Sequence, residues 1–162
     1  MKRLSFLFAL AVATTLAVPT TGSADPPTIE FLPLEDFSIV GQCPFDVDVH
    51  VLAVNEYSKT FSNGQVLITG KVLLRVSNAE TGKSIKVNAS GPGTITTDEN
   101  GTVTYVIRGT SFIGFDPGTF GPGSPGLLEI TKGLVVIVFH ADGTTTYRKT
   151  SAATRDACAL LA

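Results

Sequence analysis

The chain has no tryptophan, two cysteines and two histidines among its 162 residues, and its single methionine is the first residue. Only 16% of it is charged, and acids outnumber bases, 14 to 12. Each shortage removes a class of protein. Lys2 and Arg3 lie in what reads as a leader, so the remainder carries ten bases against fourteen acids, a net of about −4 with neutral histidines. That balance offers no basic footprint for nucleic acid. The longest apolar run, Leu4 to Val18, is shorter than the roughly 20 residues a helix needs to cross a bilayer, so no membrane span is expected. Thiol redox chemistry would call for a C-x-x-C pair or an electropositive thiol, and Cys43 and Cys158 show neither. With no tryptophan, and with the cysteines at the two ends of the folding region, an immunoglobulin-type sandwich lacks its markers.

What is present begins with the leader. Met1-Lys2-Arg3, the apolar run and Gly22-Ser23-Ala24 before Asp25 have the layout of a secretory signal peptide cleaved after Ala24. Residues 1–24 are read as the signal peptide, 25–44 as an extended N-terminal arm carrying Pro26, Pro27, Pro33 and Pro44, and 45–162 as a single β domain. The protein is thus expected to be secreted or extracytoplasmic. In that compartment an even pair of cysteines most simply forms one disulfide, Cys43 to Cys158. Closing so long a loop removes unfolded-state entropy worth roughly 4–5 kcal/mol in the chain-entropy account. Val40-Gly41-Gln42-Cys43 matches a lipid-attachment site poorly, because Gln42 stands where a small residue is required.

Val, Ile and Thr supply 14, 9 and 17 of the residues from Asp25 onward, a composition that packs well on pleated sheets and poorly in helices. Val47, Val49 and Val51 alternate with Asp46, Asp48 and His50, which places the two sets on opposite faces of a strand. A longer strand is predicted from Gln65 to Ser77, with Gly70 at a bulge or bend, and it pairs through the Asn78–Lys83 turn with Ser84–Ala89. Asn100-Gly101 favours a tight hairpin between Thr94–Thr97 and Thr102–Arg108, with Val103, Tyr105 and Ile107 inward. Residues 114–126 hold five glycines and three prolines and must be a loop. Leu134–His140 is apolar on both faces and reads as a central strand, followed by Thr145–Thr150. Ser151–Leu161 is predicted to form a short C-terminal helix capped by Ser151 or Thr154.

These segments make an all-β fold, an antiparallel meander of about eight strands closing into a barrel, with a two-sheet sandwich as the alternative. No helix is long enough for a βαβ crossover.

Candidate chemistry is sparse. Asp46, Asp48 and His50 on one strand face could offer oxygen and imidazole ligands to a metal, with His140 as a further donor. Same-face neighbours lie nearly 7 Å apart, so a solvated strand face explains the same residues. Thr81-Gly82-Lys83-Ser84 ends like a phosphate-binding loop, but Ser77 stands where its first glycine belongs and no helix follows. Ser124 fails as a nucleophile elbow because Pro122 replaces a glycine. No cofactor is expected and no catalytic residue can be assigned. Asn88-Ala89-Ser90 and Asn100-Gly101-Thr102 match the glycosylation pattern. The region with Phe112, Phe115 and Phe120 is the candidate ligand-binding element, its aromatics either forming a lid over a barrel mouth or anchoring the loop to the core.

Cys43 and Phe45 with the alternating valines, Gly70, the Asn78–Lys83 turn, Ser90-Gly91-Pro92, Asn100-Gly101-Thr102, the Gly/Pro loop and Asp156-Ala157-Cys158 give a pattern that spans nearly all of the chain after the leader. This pattern resembles an uncharacterised family of small exported actinobacterial β proteins with a terminal cysteine pair. The resemblance implies a shared fold and brings no catalytic residue with it. The sequence therefore points to non-catalytic binding of a small apolar ligand or an extracellular protein partner. A small pocket enzyme, hydrolase or isomerase, and a cell-surface interaction or structural protein stand as the alternatives.

Overall fold

The computed structural model describes residues 25–162; the predicted signal peptide, 1–24, lies outside the described residues. Nine strands and one short helix follow in order: β1 (Thr28–Phe31), β2 (Phe37–Ile39), β3 (Val47–Thr60), β4 (Val66–Asn78), β5 (Ser84–Asn88), β6 (Gly93–Thr97), β7 (Val103–Phe115), β8 (Leu127–Phe139), β9 (Thr145–Asp156) and α1 (Ala157–Leu161). All pairings are antiparallel, as the hairpin chemistry of the turns requires. The extended arm contributes two edge strands, β1 beside the end of β3 and β2 beside its start.

The sheet departs from a meander at β4. Its C-terminal half, Leu73–Ser77, pairs with β5, and its N-terminal half, Val66–Ile68, pairs with β6 along the same edge. The ladder then runs β6-β7-β8-β9, and among the described residues no pairing joins β9 back to β1 or β2. The sheet is open, and the strand pairings do not close the expected barrel.

A second departure is the shape of β7 and β8. Phe115 lies opposite Leu127, while Tyr147 lies opposite Ile137, ten residues further along β8. Along a straight strand that interval would be about 33 Å. The two rings are instead 5.1 Å apart between centroids. The hairpin folds back on itself, and the fold falls where Gly109 faces Gly133, both with positive φ (93° and 139°). On β9, Thr150 and Ala153 flank the same point, a register irregularity that lets the edge strand follow the bend.

Two cores result. Val47, Val49, Val72, Leu74, Val76 and Val87 present one face of β3–β5 to Leu128 of β8 and to Ala157 and Leu161 of α1, with Phe112 and Ile130 packed alongside. The second core lies inside the folded hairpin: Ile113, Phe115, Val135 and Ile137, with Tyr105, Ile107, Leu127 and Tyr147 around them. This explains why β8 reads as apolar on both faces. Val135 and Ile137 are buried in the second core, and Leu134, Val136 and Val138 form the half-buried opposite face.

The chain end also corrects the sequence reading. Strand β9 continues to Asp156 because Ala153–Asp156 find backbone partners on Glu129–Lys132, so the helix spans only Ala157–Leu161. Its N-cap is Asp156, whose carboxylate accepts the Ala159 N–H, in place of Ser151 or Thr154. Cys158 on this helix is bonded to Cys43 at the end of the arm, with 5.5 Å between the Cα atoms. A disulfide is compatible with an extracytoplasmic location. Among the described residues no helix is long and apolar enough to cross a membrane.

Candidate functional site

The disulfide borders a large cleft. It draws the bend at Gly41–Phe45 against α1 and against the two feet of the Gly/Pro loop, Pro117 on one side and Pro125-Gly126 on the other. This open cleft has a volume of about 650 Å3, and its walls are mainly apolar: the disulfide, Pro44, Phe45, Pro125, Leu127 and Leu128. That size and character suit a small organic molecule.

Polar groups at the cleft are few and, apart from Gln42 Oε1, engaged. Gln42 donates from Nε2 to Asp116 (3.2 Å), and its Oε1 is buried with no protein partner, packed against Gly114. Asp156 is held as the helix cap. Glu129, 9% exposed, accepts from Tyr147 Oη (3.0 Å) and from Lys149 Nζ (3.0 Å to each carboxylate oxygen). Lys149 Nζ also lies 5.4 Å from the Tyr147 ring centroid. Burial pushes the Tyr147 phenol well above its ordinary range, and the hydrogen bond to the Glu129 carboxylate adds to the effect. Glu129 is six residues from Val135, the residue opposite Lys149, so this contact exists only because the hairpin folds back.

The three phenylalanines do not converge on one site. Phe115 is buried and Phe120 is 39% exposed; their rings meet edge-on at 4.9 Å and both touch Tyr147. Phe112, one strand position out of phase, points to the opposite face and joins the first core. None of the three lines the large cleft. Phe120 fastens a loop that is otherwise tied to itself. Gly118 N–H donates to Ser124 O (2.9 Å), Gly121 N–H to Gly118 O (3.0 Å) and Thr119 Oγ1 to Asp116 O (2.7 Å).

Asp46, Asp48 and His50 are all exposed at the start of β3, and among the described residues no group of three His, Cys, Asp or Glu side chains is placed to hold a metal. Asp48 accepts instead from Ser38 Oγ of β2 (2.7 Å). His50 donates from Nδ1 to Asp36 (2.5 Å), a residue of the arm whose other oxygen accepts the Val51 N–H (2.7 Å). That backbone bond, then the His50 bond, hold the Asp36 carboxyl below its usual range. His140 stays in its own hairpin, hydrogen-bonded to Thr146 Oγ1 at 2.8 Å.

Asp36, Glu129 and the Tyr147/Lys149 pair escape sequence reasoning. The spacing of Tyr147 and Lys149 puts them on one strand face, and Glu129 is the one acid in an apolar strand start, yet only the bend says that they meet. No protein-family model, curated protein or solved structure matches this chain.

Proposed function

We propose that this is an exported, non-catalytic binding protein whose disulfide-bordered cleft takes a small apolar molecule. The observation that carries this reading is the cleft of about 650 Å3 walled by prolines, Phe45, two leucines and the disulfide. Its two carboxylates, Glu129 and Asp156, are committed to structural hydrogen bonds, which supports binding over acid–base chemistry. Membership of the actinobacterial exported family, as the turn residues and cysteine pair suggest, belongs to the same proposal. Native mass spectrometry of the processed protein, purified with its disulfide intact, tests it. An apolar molecule retained at one per chain is the expected result. A stoichiometric metal would point back to Asp46, Asp48 and His50 and count against the apolar reading.

A second reading, a surface partner, draws on the arm. Edge strand β1 exposes Ile29 (58%) and Phe31 (49%), the latter edge-on to Tyr57 at 5.5 Å, and an exposed edge with apolar side chains suits strand addition by another chain. Ile29→Lys would abolish such an association, read by size-exclusion chromatography with the extracellular partner, and would leave ligand retention unchanged.

A further inference from the structure

The split of the sheet at β4 opens a second cleft, which shares no lining residue with the first. Beyond Arg108, β7 pairs with β8 on one side only, and β5 pairs only with β4, so their outer edges face each other without strand pairing. The volume between them is about 360 Å3. Every ionisable side chain that lines it is a cation: Lys86 from β5, Lys132 from β8 and Arg155 from β9. The rest of the wall is made by the neutral hydrogen-bonding groups Asn88, Ser90 and Thr110 and by the apolar Ile85, Val87, Ile130 and Ala153. Ser90 is fixed, donating from Oγ to Asn88 Oδ1 (2.5 Å) while accepting the Val72 N–H (3.2 Å).

General basicity does not account for this cluster, because the chain beyond the leader is acidic, ten bases against fourteen acids. The sheet register makes it unfavourable on its own terms. Lys86 lies directly opposite Arg75, and like charges in that position are destabilising. Lys132 lies opposite Ala153 and Arg155 opposite Ile130, which makes Lys132 and Arg155 diagonal neighbours on one face, roughly 7–8 Å apart at the backbone. Among the described residues none of the three cations has a salt-bridge partner. An oxyanion between them would relieve the repulsion and accept from all three, the guanidinium offering the two-pronged geometry that carboxylates and phosphates fit.

We propose that this cleft is a binding site for a small organic anion bearing carboxylate or phosphate groups. The test is a titration of the folded, disulfide-intact chain with pyrophosphate and, separately, with citrate at low ionic strength, followed by backbone amide NMR shifts. The expected result is saturable shifts at Lys86, Lys132 and Arg155 with at least one of the two anions, the stronger binder identifying the oxyanion class. The double variant Lys132→Gln/Arg155→Gln, whose positions are exposed, should weaken that binding at least tenfold. Arg148→Gln, which removes one positive charge outside the cleft, should leave it within twofold. No saturable shift with either anion, shifts unaffected by the double variant, or an equal loss in Arg148→Gln would each overturn the proposal.

Discussion

The Glu129 carboxylate is the clearest case of a residue whose neighbours decide its role. It is nearly buried and held by one phenol and one ammonium, so removing either partner leaves charge in a poorly hydrated place. Lys149→Met is expected to cost about 1.5–3 kcal/mol and Tyr147→Phe less, about 1 kcal/mol, read from urea unfolding midpoints. The raised Tyr147 value adds an optical signature: its phenol should stay protonated in alkaline solution where exposed tyrosines ionise, and should titrate normally once unfolded. Two other carboxyls give opposite pH signs. Asp36 is held low by the Val51 N–H and His50, so its contribution is present above the ordinary aspartate range, near 3.9, and is lost as pH falls through its folded value. Burial raises Glu56, so its charged form is disfavoured in the fold. Glu56→Gln should therefore raise the melting temperature at pH 7 and give no gain below about pH 4, where the native carboxyl is already protonated. None of these partners is legible in the sequence, because each pair joins residues that only the tertiary fold brings within reach.

Individual elements were far more legible. The alternating valines of β3, the Gln65–Ser77 strand, the Asn-Gly hairpin between β6 and β7, and the central position of β8 all follow from period-two patterning and turn chemistry. The misread elements share one cause: their backbones take partners from distant strands. Ser151–Asp156 has helix-like composition but is drawn into β9 by the free edge of β8. Gly70 reads as a bulge, yet the irregularity in that ladder falls between Val51 and Ala53. Gly70 is instead a point of close approach: with φ near 150°, a Cβ there would lie 2.2 Å from Asn55 O and 2.5 Å from Glu56 Cα. Gly70→Ala must therefore part β3 from β4, and thermal unfolding should show a loss of at least about 1–3 kcal/mol.

For the molecule as a whole, the cysteine spacing was readable and the closure of the sheet was not. A chain with one bond across 115 positions has its unfolded ensemble constrained almost end to end. Replacing both cysteines by alanine is expected to cost roughly 4–5 kcal/mol, and to release α1 and the arm from each other. Barrel closure depends on a β1–β9 pairing that hydrophobic alternation alone does not specify, and the bend at Gly109 and Gly133 turns the sheet into two cores instead. The same bond that joins the ends also walls the large cleft, so its loss would disturb the proposed binding site together with the fold. Equilibrium titration of the disulfide-intact protein with an environment-sensitive naphthyl probe, alongside Pro125→Arg at the exposed rim of the cleft, tests the apolar-binding account most directly. The account predicts saturable binding of one probe per chain that Pro125→Arg abolishes without changing the melting temperature; no saturable binding, or binding indifferent to that substitution, would contradict it.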